Sequence, residues 1–321
     1  MTAATESYPV EIVPPDITPY QRSNTGIDWI WTFEGPAPGP HVALTALVHG
    51  NEPCGAIALD DLFRRDIRPL RGKLSLAFIN PEAYLRFDPN DPMRSRWVDQ
   101  DFNRLWAPAL LSGPGDSVEL RRARSIRPWL ETVDLVLDIH SMQQRTAPLI
   151  LAGVQPRALD LAATLPVPSI IVLDRGHAAG PRMRDYSSFD DPASAKTALL
   201  VECGQHWQQA TAELALQTSI WFLRSCQMVD SGFGADVVAG TAPSPARQVV
   251  EVSGPVTIET DAFRFVEPFR GMEVIAKGGT IIGYDGVKPV RTPYDDCVLI
   301  MPSRRLWRGQ TAVRLGRFIP P

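Results

Sequence analysis

Two imidazoles and two carboxylates stand at places where chemistry is done. His49 closes the apolar run in "LTALVHGNEPCG", and Glu52 follows three positions later, where a helix should begin. A carboxylate at the turn from strand to helix can swing back toward the imidazole before it, so that one cation is held by both. His140 ends a second apolar run, "LVLDIHS", and Glu202 ends a third, "ALLVECG". In open α/β sheets ligands gather at the carboxyl ends of the strands, so these groups would share one rim. His49, Glu52 and His140 make a set that suits zinc with a position left open for water. Zinc would lower the pKa of that water to about 7 and polarise a carbonyl. Glu202, outside the set, is then the natural general base and later proton donor.

A lone histidine at a strand end is more often a hydrogen-bonded structural residue, and His-x-x-Glu is a weak pattern by itself. Gly50, Asn51 and Gly55 strengthen it, because they free the backbone to turn sharply around the site. His140 and Glu202, arriving from independent strand ends, strengthen it more.

The elements that must position these groups follow from apolar periodicity. Runs of strand length alternate with segments of helical period: "HVALTALVHG", "EPCGAIALDDLFRRD", "GKLSLAFINP", "DSVELRRARSIRPWLE" and "VDLVLDIHS". That alternation predicts an α/β domain. "PLILAG", "SIIVLDRG" and "KTALLVECG" add strands, and an amphipathic segment from Trp207 to about Val229 closes the region. Strands apolar on both faces belong in a sheet covered by helices on both sides. Pro53 suits the first turn of the helix after His49, and Asp116 with Glu119 has the spacing of a capping box. From Asp230 the segment "DSGFGADVVAGTAPSPARQ" reads as a linker. The short β-like pieces beyond it, split by Gly and Pro, predict a small β domain. The expected division is 1–230 for the α/β domain and 231–321 for the β domain.

A chain of 321 residues with 44% apolar content can bury a large core. The formal charge of -4, spread along the chain, supplies neither a basic stripe for nucleic acid nor a polybasic membrane anchor. The expected partner is a small molecule. Cys54, Cys203, Cys226 and Cys297 lie too far apart for a CxxC pair or a disulfide framework and read as reduced thiols. With no signal segment and no long apolar run, the expected location is the cytoplasm.

"HGNEPCG", "RWVDQDFNRLW", "LDIHS" and "VECG" occur in this order from about Val42 to Gly204, and together they resemble the succinylglutamate desuccinylase/aspartoacylase family of zinc hydrolases. The resemblance implies a zinc-carboxypeptidase-like fold: a mixed sheet covered by helices on both faces. It implies one zinc per chain on His49, Glu52 and His140, with Glu202 as the acid/base. Arg96 matches the arginine that polarises the scissile carbonyl, and Asn103 and Arg104 match the pair that holds the substrate's carboxylate. An Arg fork fits a carboxylate bidentately, and a fixed cation beside a developing alkoxide stabilises it. Read without the motif, any one of these arginines belongs to a solvated charged loop. Asp99 and Asp101 read as local pairing partners, Trp97 and Trp106 as pocket wall or core, and Cys54 and Cys203 as small packing residues. The family's frequent dimers make a homodimer an expectation here.

Two departures bear on the substrate. Where aspartoacylases carry an arginine for a second substrate carboxylate, this chain has Pro192, with Arg182, Arg184 and Lys196 nearby. The family's late tyrosine has no clean counterpart, Tyr284 and Tyr294 being available. His177 and His206 are left as supporting or structural residues. The function expected is a zinc-dependent hydrolase that cleaves the amide of an N-acyl amino acid. The alternatives are a zinc carboxypeptidase acting on short peptides and a zinc-containing binding protein without turnover.

Overall fold

A strand with no polar face has to lie inside a sheet covered on both sides, and the strand that carries Glu202 is buried at every position. In the computed structural model, which describes residues 8–176, 179–240 and 246–320, that strand sits in the middle of an eleven-stranded mixed sheet.

The strands are β1 (Ile30–Glu34), β2 (Ala37–Ala46), β3 (Arg71–Phe78), β4 (Leu135–Met142), β5 (Leu149–Ala152), β6 (Ile170–Leu173) and β7 (Thr197–Gln205). After them come β8 (Gln248–Thr257), β9 (Phe263–Phe265), β10 (Glu273–Ile275), β11 (Ile281–Asp285), β12 (Lys288–Arg291), β13 (Cys297–Ile300) and β14 (Thr311–Ile319). The main sheet runs β1-β3-β2-β4-β7-β5-β6-β8-β14-β13-β10, and β12-β11-β9 form a small antiparallel sheet. β2, β4 and β7 are parallel neighbours, so their carboxyl ends share one rim. β6 pairs with β8, so the sheet continues from the α/β region into the C-terminal strands.

Among the described residues, four helices of two turns or more cover the sheet: α1 (Pro53–Arg64), α2 (Val118–Leu130), α3 (Pro156–Ala163) and α4 (Gln209–Ser225). α1 buries Cys54, Ala58, Leu59 and Leu62, one stripe at helical spacing, against the sheet and α4. α2 buries Leu120, Ala123, Ile126 and Trp129 in a separate cluster on the other face. Pro53 holds the first turn of α1, as its fixed φ favours.

The proposed box at α2 needs correction. Its N-cap is Ser117, whose Oγ accepts the Leu120 N–H at 3.0 Å. Asp116 lies one residue outside and pairs with Arg121 at 2.8 Å, and Glu119 is turned toward a different task, described below. The segment expected to be a linker contains a helical turn, Ala235–Val238, where Asp236 takes a bidentate pair from Arg65 at 2.9 and 2.8 Å. Among the described residues, no helix is long and apolar enough to cross a membrane.

Candidate metal centre and substrate cleft

The chain leaves β2 through Leu47, whose left-handed φ of 63° turns it out of the sheet, a costly conformation for a side chain of that bulk. Gly50 then contributes room rather than an unusual torsion. A Cβ there would lie 2.4 Å from the Ser95 carbonyl oxygen and from the Tyr84 nitrogen. The Gly50 N–H donates to the Arg96 carbonyl at 3.1 Å, so the segment carrying Arg96 presses against the His49 turn.

Glu52 occupies the N-cap position of α1 but makes no capping bond with its side chain. Its carboxylate reaches back, with Oε1 2.8 Å from His49 Nδ1 and Oε2 2.9 Å from His140 Nδ1. All three residues are buried, and one ligand atom from each lies within 4.8 Å of the others. Both imidazoles turn Nδ1 inward and Nε2 outward to an acid: His49 to Asp101 Oδ1 and His140 to Asp138 Oδ2, each at 3.0 Å. At His140 an outer N–H donated to a carboxylate fixes the tautomer and leaves the inner nitrogen free for a cation, while His49 Nε2 also faces Arg96 Nη2 at 3.0 Å. The donor set, two nitrogens and a carboxylate in a buried pocket, therefore fits a divalent metal ion. Burial opposes charge on His140, yet Asp138 and Glu52 outweigh it and hold its pKa well above the ordinary value. Burial also opposes charge on Glu52, where the two histidines win and hold the carboxyl well below the usual range.

Glu202 stands opposite His140 in the β4–β7 register. Its Oε2 is buried with no hydrogen-bond partner among the described residues. Burial pushes its pKa up to about 8. Arg96 donates from Nη1 to Glu52 Oε1 at 3.2 Å. Asn103 accepts the Met183 N–H on its Oδ1 at 3.0 Å, and its Nδ2 lies 3.5 Å from His140 Nε2. Arg104 is anchored by one bond to the Asn103 carbonyl at 2.6 Å, and burial brings its pKa down to about 10. His49, Glu52, Arg96, Asn103, Arg104, His140 and Glu202 all line a single cavity of about 380 Å³.

The loop bearing Arg96, Asn103 and Arg104 is organised by Glu119. This fully buried carboxylate accepts the backbone N–H groups of Val98, Asp99 and Gln100 at 2.6, 3.1 and 3.2 Å, and the Asn80 amide at 3.2 Å.

A family model for the succinylglutamate desuccinylase/aspartoacylase catalytic domain matches residues 38–225. The chain belongs to this family. A probable aspartoacylase of Parasynechococcus marenigrum (strain WH8102) is 33% identical over 123 residues, a match taking in 36% of this chain and 38% of that protein. A solved structure of succinylglutamate desuccinylase from Vibrio cholerae superposes with a TM-score of 0.69 at 16% identity, covering 92% of this chain and 88% of that one. Murine aminoacylase 3 superposes with a TM-score of 0.60 at 17% identity, covering 89% and 97%. At such identities these structures establish the fold, which is that of the desuccinylase/aspartoacylase family.

Against the family's pattern, Arg182 lines the cleft but is paired with Asp174 and Asp185, at 3.0 and 2.7 Å. Arg184 is buried against Asp185, and Lys196 donates to the Glu131 carbonyl, outside the lining. Tyr284 and Tyr294 lie outside it too, Tyr294 bonding Ser253. His206 lines the cleft and shares a bond with Ser141 Oγ at 2.8 Å; His177 lies outside the described residues. Trp97 faces the cleft, whereas Trp106 belongs to the core against Tyr186 and Phe102. All four cysteines are free and buried.

Three residues were missed from sequence. Asp138 carried a usable signal: two positions before a histidine on a strand, it projects to the same side. Asp101 was restricted to local pairing, and its bond to His49 spans 52 positions. Glu119 was assigned to a helix cap.

Proposed function

We propose that this chain is a zinc-dependent amidohydrolase that removes the acyl group from the nitrogen of an amino acid or a close relative. The observation that carries the reading is the meeting of His49, Glu52 and His140 beside Glu202, an acid kept outside their contacts. Zinc, when bound by those three, supplies Lewis acidity toward a carbonyl and lowers the pKa of water.

Arg104 presents its fork to the substrate's α-carboxylate, with Asn103 steadying the same end. Arg96, held by Glu52 and next to His49, places a fixed positive charge where the scissile carbonyl oxygen gains negative charge. Glu202 Oε2 takes a proton from the attacking water and returns it to the departing amine. A carboxyl whose pKa is raised toward neutrality suits both steps, because it binds the proton firmly enough to keep and loosely enough to give. We assign this chemistry to region 1–230. We assign a confining wall to region 231–321, whose residues 301–305, 307, 310, 311 and 314 line the cleft and favour small substrates over proteins.

The test is a screen of acetyl, succinyl and other acyl derivatives across an amino-acid panel, with dipeptides alongside and metal content measured on the same preparation. Hydrolysis of acyl amino acids by metal-loaded protein supports the reading. Cleavage of dipeptides alone would make it a carboxypeptidase, and inertness toward all of them with metal bound would leave a binding protein.

A further inference from the structure

His206 takes no part in the hydrolysis described above, yet its imidazole is built into the cleft wall. The residue is 1% exposed and lines the same cavity as the metal centre. Its backbone N–H donates to the Met142 carbonyl at 2.9 Å, its Nδ1 meets Ser141 Oγ at 2.8 Å, and its ring packs against that of Trp207 with centres 5.6 Å apart. The ring is thus fixed at its base and along one edge. Its Nε2 is buried and, among the described residues, has no hydrogen-bond partner. An unpaired buried polar atom is costly, and turning the ring to relieve it would break the bond to Ser141.

Hydrogen-bond satisfaction assigns the ring proton. Among the described residues, the Ser141 hydroxyl has a single partner, His206 Nδ1. If Nδ1 accepts the hydroxyl proton, both atoms of the pair are satisfied and the ring hydrogen sits on Nε2. The other tautomer would leave the hydroxyl proton without a protein acceptor and the Nε2 lone pair without a donor. Burial brings the pKa of the ring down to about 3, so it is neutral in neutral solution. The cleft therefore receives an uncharged N–H donor.

Its position indicates which part of the substrate it meets. His140 and Glu202 face each other in the β4–β7 register, and Met142 and Gln205 form the next pair toward the carboxyl ends. His206 follows directly, nearer the rim than the metal ligand and the proton carrier. The charges that act on it are those of Glu52, Arg96, His49 and Arg305, whereas Arg104 feels Asp101, Arg96, Arg182 and Arg314. Arg96 is the group common to both. With the α-carboxylate on Arg104 and the scissile carbonyl at Arg96, the acyl chain is the part left to reach His206.

We propose that His206, held by Ser141, is a specificity-determining residue whose Nε2–H donates to an uncharged oxygen on the acyl chain. The preferred substrates then carry a 2-hydroxyacyl or 2-alkoxyacyl group rather than a plain alkanoyl one, because a donor one row from Glu202 reaches an oxygen close to the carbonyl. The inference rests on the deacylase reading. A site built to hydrogen-bond a substrate oxygen rejects the analogue that lacks it, since that analogue leaves the buried donor unpaired.

Two measurements test it. In the first, kcat/KM is compared for the N-glycolyl and N-propionyl derivatives of one neutral amino acid, whose acyl groups differ by a hydroxyl in place of a methyl. The wild type should favour the glycolyl compound by about tenfold or more, the scale of one buried donor left unpaired. His206→Phe should abolish the preference at unchanged metal content and melting temperature, and His206→Gln, whose amide nitrogen can take the place of Nε2, should keep part of it. In the second, nitrogen NMR of the zinc-loaded protein labelled in its histidine rings should show, for the signal missing from His206→Gln, a neutral ring protonated on Nε2. Should His206→Phe not fold, the wild-type ratio and this signal still decide. A wild type without glycolyl preference, a preference untouched by His206→Phe, or a bare Nε2 overturns the subsite and leaves the deacylase reading standing. If no acyl amino acid is hydrolysed, the deacylase reading falls, and calorimetry with the same two compounds decides the subsite: tighter glycolyl binding lost in His206→Phe upholds it, and equal binding overturns it.

Discussion

His140 donates its outer nitrogen to Asp138, two residues back along the same strand, at 3.0 Å. Asp138 is fully buried, and its other oxygen accepts the Thr45 hydroxyl at 2.7 Å, so neither the acid nor the ring has freedom to turn. The imidazole is aimed by the strand itself, and its Nδ1 is left facing Glu52. Asp138→Asn should therefore weaken zinc binding by about 10- to 100-fold while the fold persists. Competition with a chromophoric chelator measures this directly; unaltered affinity would reduce Asp138 to a packing residue.

Glu202 calls for the opposite pattern. It lies outside the contacts among His49, Glu52 and His140, so Glu202→Gln should keep the metal and lose turnover, with kcat reduced by about 10²- to 10⁴-fold. Kinetics and metal content measured on one sample separate the two properties. Metal lost in parallel with activity would make Glu202 a ligand rather than a proton carrier.

Glu119 predicts a coupling between the back of the loop and its working face. Glu119→Ala removes the shared acceptor of the Val98, Asp99 and Gln100 N–H groups at a part-buried position, where an orphaned donor costs up to about 1–3 kcal/mol. Denaturant unfolding should show a loss of several kcal/mol or outright misfolding. Glu119→Gln, which retains one acceptor oxygen, should fold with a raised KM as Arg104 loses its setting. Wild-type stability in Glu119→Ala would contradict this account of the loop.

The Asp185 carboxylate gives a pH dependence away from the metal centre. Burial opposes its charge, but Arg182 and Arg184 prevail and hold its pKa at about 2, below the ordinary aspartate value of 3.8. The unfolded chain binds the proton more tightly, so the stabilisation is complete above about pH 4 and is lost as pH falls through about 2. The gap corresponds to about 2 kcal/mol. Asp185→Asn should be less stable than wild type at neutral pH, with the difference narrowing below pH 4. A difference constant from pH 7 to pH 2 would rule out this pairing as its source.

Much of this was legible in the sequence because strand ends and metal-capable residues coincide. The apolar runs closed by His49, His140 and Glu202 contain β2, β4 and β7, which are parallel neighbours; β2 stops at Ala46, three residues short of His49, while His140 and Glu202 lie within the last residues of β4 and β7. β14 escaped notice because "TAVRLGRFI" carries Arg314, which reads as a surface charge until Asp174 is found beside it in the fold. β1 escaped as a short strand whose partner, β3, lies beyond β2 in the chain. Asp101 and Arg305 were illegible for the same reason: a charged residue in a loop looks solvated, and only the fold brings it to His49 or to Trp97. Glu119 had the right spacing for a cap, but burial directed its carboxylate to more numerous donors across the loop.

Metal analysis by mass spectrometry on purified wild type, His49→Ala, Glu52→Ala, His140→Ala and Glu202→Gln, each supplied with excess zinc and then desalted, bears most directly on the central claim. One ion per chain is expected in wild type and Glu202→Gln, with little or none in the other three. Wild type that retains no divalent ion, or triad variants that retain as much as wild type, would contradict it.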